Sequence, residues 1–441
     1  MPSTRTRHGS RAFIATAGAI AIAASAMAVE LSKKQTLGKA IFFDTQLSQK
    51  QNQSCAACHS PDTGFTGPSA GINAGGSVYE GSVPGRFGNR KPPTAAYATQ
   101  SPILHAVNEG SFLRPEWLIT GGNFWDGRAT GFILGNPAAD QALGPFLNPL
   151  EQALPDEACV VYRVCTAAYP VRFGQVWGNA PCSISWPAGI QSACASDAAS
   201  IPLGLADKFK VKLAFGLIGL SVADYEASPE VNQFSSKYDR YLQGRAQLTA
   251  LERRGLELFR GKAKCALCHP ADRGPKQELP LFTDYTYDNL GVPKNPANPF
   301  YNMPRQFNPD GPAWVDKGLG AFLETRVLLR HLAAENLGKQ KVPTLRNADK
   351  RPNPGFIKAY AHNGYFKTLA GIVNFYNTRD VKPACANPMT PEAVALAQGC
   401  WPAPEFPGNV NREELGNLGL TADEEHAVVE FLKTLSDGYS Q

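Results

Sequence analysis

Charge is scarce in this chain. Only 18% of its residues are Asp, Glu, Lys or Arg, against 43% apolar residues, a balance that excludes a disordered chain. Neither sign is in large surplus: Lys and Arg number 43, Asp and Glu 38. Three of the bases, Arg5, Arg7 and Arg11, lie in residues 1–28, which contain no acid. The remainder is near neutral, which argues against a nucleic-acid binder. Beyond residue 28 no run of roughly 18 apolar residues occurs, so no membrane-spanning helix is predicted there. Alternating strand patterns are sparse. Methionine is rare: there are four, and Met1 and Met27 leave only Met303 and Met389 as internal thioethers. The 441 residues are long enough for about two domains with sizeable cores.

Residues 1–28 have the layout of an export signal. The three arginines precede an Ala-rich apolar stretch, residues 12–27, and Ala26-Met27-Ala28 forms an A-x-A cleavage site. The mature chain is expected to begin at Val29. The apolar stretch is shorter than the roughly 20 residues a bilayer requires, which favours cleavage over a retained anchor.

Ten cysteines then need explaining. Four form two matching patterns, Cys55-Ala56-Ala57-Cys58-His59 and Cys265-Ala266-Leu267-Cys268-His269. Six remain: Cys159, Cys165, Cys182, Cys194, Cys385 and Cys400. An even remainder in an exported protein points to three disulfides, with free buried thiols as the alternative. Pairing of neighbours (159 with 165, 182 with 194, 385 with 400) closes the shortest loops and is the expected connectivity.

C-x-x-C-H is the attachment signature of c-type haem: two thiols add to the haem vinyl groups and the histidine sits beneath the iron. A zinc site or a thioredoxin-like pair leaves that histidine unexplained. Two covalently bound haems are therefore expected, on Cys55, Cys58 and His59, and on Cys265, Cys268 and His269. The motifs lie 210 residues apart, each after a helical pattern, near residues 37–43 and 248–259. That repetition predicts a duplicated cytochrome c unit. Further helices are predicted at residues 206–227, 321–332 and 421–435, the last with a Thr421/Glu424 capping box. Residues 60–95 and 270–318 read as long Gly/Pro-rich loops. The expected fold is mainly α: two cytochrome c-like haem domains with long irregular loops.

These motifs, with several others, resemble the bacterial di-haem cytochrome c peroxidase and MauG family. The likeness runs from about Leu37 to the C-terminus. It is carried by residues 37–44 (Leu-Gly-Lys-Ala-Ile-Phe-Phe-Asp), by Phe124-Trp125-Asp126-Gly127-Arg128-Ala129, and by the segment from Gln141 to Glu151. Val342-Pro343-Thr344-Leu345-Arg346-Asn347 and His362-Asn363-Gly364 complete it. The resemblance implies residues 29–245 as a peroxidatic haem domain, with an insertion at 155–200, and residues 246–441 as an electron-transfer haem domain. It implies Gln141, Pro145 and Glu151 around the distal face of the first haem, where a carboxylate can take a proton from peroxide and return it to the leaving oxygen. Trp125 is implied between the haems. His362 is expected to be structural or to contact haem; His331 and His426 are expected on helix surfaces.

Three departures from the family pattern bear on the branch. Residues 60–91 contain no histidine, so no loop ligand closes the first haem; the nearest histidine is His105. Tyr376 stands 14 residues after His362, where the family's peroxidases place methionine and the MauG branch places tyrosine. An anionic oxygen ligand there implies a low potential for the second haem. Lys91 replaces the asparagine of the family's inter-domain calcium site, and an ammonium cannot ligate calcium; calcium would then rest on backbone carbonyls or Asn89.

The resemblance implies a periplasmic, MauG-like peroxidase that uses hydrogen peroxide to oxidise an external donor, a partner protein. The alternatives are a cytochrome c peroxidase fed by a small cytochrome or cupredoxin, and a non-catalytic di-haem electron carrier.

Overall fold

The computed structural model describes residues 30–111, 116–166, 169–197 and 200–440; the expected export signal lies outside the described residues. The first half carries helices α1 (Lys33–Phe42), α2 (Ala70–Ala74), α3 (Pro137–Leu147), α4 (Glu157–Thr166), α5 (Pro170–Trp177), α6 (Ile190–Cys194), α7 (Leu205–Glu226) and α8 (Lys237–Leu242). The second carries α9 (Ala250–Arg260), α10 (Gly318–Glu324), α11 (Leu369–Thr378), α12 (Glu392–Gln398) and α13 (Ala422–Lys433). Strand among the described residues is confined to two antiparallel pairs. β1 (His105–Asn108) pairs with β2 (Trp117–Thr120), His105 opposite Thr120. β3 (Tyr287–Asp288) pairs with β4 (Gln340–Lys341), Tyr287 opposite Lys341. The molecule is thus helix-rich with little strand, as expected.

One core gathers Leu37, Phe42, Phe146, Val161, Phe215 and Ile218; another gathers Tyr238, Leu256, Phe259, Phe282 and Phe431. Each is organised by a close helix crossing, α1 on α7 and α9 on α13. A Cβ on Gly38 would collide with the Ser221 carbonyl and the Tyr225 side chain. A Cβ on Gly255 would collide with the Ala427 carbonyl and the Phe431 side chain. Only glycine allows backbones this near.

The repetition extends to single hydrogen bonds. A one-turn 3-10 helix follows each crossing helix, at Cys55–Ala57 and at Cys265–Leu267. Downstream, Phe65 and Phe282 both adopt positive φ, 58° and 53°, a conformation bulky residues rarely take. Each is pinned from both sides. Thr94 Oγ1 donates to Gly64 O at 2.7 Å and Thr344 Oγ1 to Leu281 O at 2.6 Å. Thr66 Oγ1 donates to Pro92 O and Thr283 Oγ1 to Val342 O, both at 2.7 Å.

Two expectations are corrected. The disulfides join Cys159 to Cys194, Cys165 to Cys182 and Cys385 to Cys400; only the last follows neighbour pairing. Cys159 and Cys165 both lie in α4. Six residues along a helix separate them by about 9 Å, beyond the roughly 7 Å a disulfide tolerates. The helix predicted at 321–332 begins earlier and ends at Glu324. Thr325 Oγ1 donates back to Phe322 O at 2.7 Å, and the chain continues through turns to a 3-10 helix at Arg330–Leu332. The capping box of Thr421 and Glu424 opens α13 as read.

Candidate functional site

Two cavities of about 220 Å³ each open where the Cys-His motifs lie. The first is lined by Cys55, Cys58 and His59, the second by Cys265, Cys268 and His269. These four cysteines are the free thiols among the described residues, and burial raises the pKa of each. His59 Nδ1 lies 3.1 Å from Phe65 O, and His269 Nδ1 2.7 Å from Phe282 O. A carbonyl can only accept, so Nδ1 carries the proton and Nε2 keeps the lone pair a metal would use. Burial pulls the His59 pKa down to about 4, which keeps that lone pair unprotonated. The positive-φ phenylalanines are therefore what orient the two imidazoles.

Buried polar atoms without a partner concentrate here. Gln53 Oε1, Gln152 Oε1 and the Tyr285 hydroxyl line the first cavity; the Gln340 amide and His362 Nε2 line the second. Such orphans cost stability unless a ligand with polar groups satisfies them. Paired thiols, a proximal imidazole and orphaned polar atoms beside apolar walls are the set a covalently bound haem requires, so both cavities fit the group.

The first cavity also brings together Gln141, Pro145 and Glu151. Gln141 and Pro145 lie on α3, with Pro145 inside the helix. Asn148 caps that helix and its Nδ2 donates to Glu151 Oε1 at 2.7 Å, fixing the carboxylate three residues on. Burial raises the Glu151 pKa, against the Arg128 guanidinium and the Asn148 hydrogen bond, which lower it. Arg128 lies over the Phe124 ring at 3.8 Å and pairs with Asp126 at 2.8 Å. His105 is exposed on β1 and lines neither cavity.

In the second cavity Tyr376, on α11, lines the wall with His269. Burial raises its phenol pKa. Met303 and Met389 line neither cavity. His362 is buried against Trp125, ring centroids 6.4 Å apart, with Asp316 and Glu405 at 3.9 and 3.8 Å from its Nε2. His331 and His426 are exposed, as expected.

Trp125 lines both cavities and is buried. Its Nε1 donates to Lys91 O at 2.8 Å, and its own carbonyl accepts from Lys341 N at 2.8 Å. Lys91 and residues 341–344 belong to both cavity walls as well.

Sequence reasoning missed Glu226. It ends the long apolar helix α7, lines the first cavity beside Cys55, and burial pushes its pKa up to about 8. A carboxylate closing an apolar helical run was the available signal. Lys341, half-buried on both cavity walls with its pKa pulled down by desolvation to about 7, was also missed.

A family model described as di-haem cytochrome c peroxidase matches residues 32–247. The methylamine utilization protein MauG of Paracoccus denitrificans (strain Pd 1222) is 33% identical over 407 residues, covering 91% of this chain and 88% of that protein. The cytochrome-c peroxidase IdrP2 of Denitromonas iodatirespirans is 24% identical, covering 91% of this chain and 80% of that one. Among solved structures, the diheme peroxidase BthA from Burkholderia thailandensis E264 matches with a TM-score of 0.68 at 28% identity, covering 93% of this chain and 87% of that chain. Paired Cys-His cavities and likeness along nearly the whole chain agree: the chain belongs to the di-haem cytochrome c peroxidase family, which are haem-dependent oxidoreductases.

Proposed function

We propose that the chain is a periplasmic, MauG-like peroxidase. It reduces hydrogen peroxide in the first cavity and draws the two electrons from an external donor, a partner protein. The observation that carries this reading is a single wall: Glu151, held by Asn148, faces the same cavity as Gln141, Pro145 and the proximal His59.

When bound, the haems on Cys55/Cys58/His59 and Cys265/Cys268/His269 supply the redox chemistry of peroxide reduction. The chain's own residues handle protons, orientation and water. Glu151 takes a proton from the entering peroxide and returns it to the departing oxygen, which leaves as water. Burial raises its pKa, which makes the carboxylate a stronger proton acceptor than one in water. The Gln141 amide donates a hydrogen bond that orients the peroxide. Pro145 brings an apolar ring to the wall and keeps bulk water away. Trp125, on both walls, is the route for electrons between the halves. Tyr376 would hold the second haem through its phenol oxygen, a donor that would favour oxidised iron over the reduced form a thioether would favour. Residues 29–245 and 246–441 are then the peroxidatic and electron-transfer halves.

Glu151→Gln tests the reading. The variant is expected to keep both haems, shown by its pyridine haemochrome spectrum, and to react with peroxide roughly 10²–10⁴-fold more slowly. An unchanged rate would remove Glu151 from the chemistry.

A further inference from the structure

The seam between the two cavities is built around lysine side chains. Lys91 is buried, and its Nζ donates to Thr66 Oγ1 at 3.2 Å and Pro92 O at 3.1 Å. Lys358 is buried, and its Nζ reaches Thr63 O, Asn347 O and Lys350 O at 2.8, 2.9 and 2.9 Å. Lys367 Nζ reaches Gly75 O, Ser77 Oγ and Gly364 O at 2.7, 2.9 and 2.5 Å. Three acceptors around one nitrogen call for three N–H donors, which only the ammonium form has. Lys358 and Lys367 each tie residues 63–77 to residues 347–367. Among the described residues none of the three forms a salt bridge. Burial, and then the Lys367 ammonium, pull the Lys91 pKa down to about 8, so near neutral pH it is still an ammonium.

Calcium, implied here by family likeness, does not fit this seam. Its ligands must be oxygens. The oxygens nearest Lys91 already accept from an ammonium, the side chain at that position offers a cation in place of an oxygen, and two more ammonium groups stand close by. Asp126, next to Trp125 in the chain, and Asp316, on the second cavity wall, are engaged too: Arg90 pairs with both at 2.6 Å.

We propose that Lys91 supplies, as a fixed ammonium, the positive charge between the two haem cavities, and that the haem-loaded protein neither holds nor needs calcium there. The inference rests on the di-haem reading, so haem content is measured first. Two covalent haems per chain, by pyridine haemochrome and intact mass, establish that reading independently.

The holoprotein is then equilibrated with calcium chloride, dialysed into calcium-free buffer and analysed for metal. Expected is sub-stoichiometric calcium, with EGTA leaving the electron paramagnetic resonance and Soret spectra unchanged. One calcium per chain surviving dialysis overturns the proposal. In the same protein Lys91→Met removes the charge and keeps the stem, whereas Lys91→Arg keeps the charge. The methionine variant is expected to shift haem midpoint potentials downward, because a lost cation stabilises the oxidised state, with added calcium giving no recovery. The arginine variant is expected to stay near wild type. Potentials in Lys91→Met equal to wild type also overturn the proposal. If that variant fails to retain haem, the calcium measurement on the wild-type holoprotein decides alone.

Discussion

Tyr97 and Asn347 donate to the same atom. The Tyr97 hydroxyl lies 2.7 Å and the Asn347 amide 2.9 Å from Asp437 Oδ2. The two residues hold equivalent places in the repeat, three positions after Thr94 and Thr344, and both have positive φ, 63° and 61°. One carboxylate near the C-terminus therefore bolts the two haem-facing loops together. Its other oxygen accepts from Ser235 N at 2.9 Å. Asp437→Ala leaves two buried donors unpaired and is expected to lower stability by about 3 kcal/mol or more. Urea unfolding of the holoprotein measures it, and a change under about 0.5 kcal/mol would refute the bolt.

The helix crossings give a second prediction. Gly38→Ala and Gly255→Ala each drive a methyl group into a carbonyl oxygen of the facing helix. Each is expected to cost about 3 kcal/mol, at the upper end of overpacking penalties. The effect should be of similar size at both sites because the geometry is the same. Thermal unfolding of the two variants tests that equality.

Glu226 makes stability fall as pH rises. Its folded pKa is raised to about 8 from an ordinary 4.5 by burial. Between those values the unfolded chain has released the proton and the folded chain still holds it. The unfolded state binds fewer protons, so the slope of stability against pH is negative over that window. Glu226→Gln cannot ionise. It should match wild type at low pH and gain on it, by a few kcal/mol, as the pH approaches about 8. Parallel unfolding curves across the range would place the carboxyl in contact with a compensating charge.

Tyr376→Met exchanges an oxygen for a thioether at the second cavity. The midpoint potential of one haem is expected to rise by roughly 0.1–0.4 V, with the other nearly unmoved. Spectroelectrochemistry separates the two. If neither potential moves, the second haem takes its sixth ligand elsewhere.

Much of this site was legible because its signals are local. A C-x-x-C-H pattern fixes two thiols and an imidazole within one turn, and both copies were found at the cavities. Gln141, Pro145 and Glu151 were named together through the family resemblance, which this one short stretch of α3 and its cap carries. What was not legible depends on residues far apart. Neighbour pairing failed for Cys159 and Cys165 because a helix separates what sequence places close. Lys91 reads in sequence as a missing calcium ligand; only the fold shows its ammonium on Thr66 Oγ1, 25 residues away. The orienting role of Phe65 and Phe282 rests on backbone conformation, which an ordinary aromatic residue does not announce. Among the described histidines outside the two C-x-x-C-H motifs, burial does the sorting: His362 faces a cavity, and His105 faces solvent.

The most direct test of the account is a single mixing experiment. One equivalent of hydrogen peroxide is added to the fully oxidised holoprotein, with no prior reduction, and the absorption spectrum is followed by stopped flow. The account predicts a fast Soret change involving both haems, because no loop histidine closes the first cavity and Trp125 joins the two. Absence of any reaction until one haem has been reduced would contradict it.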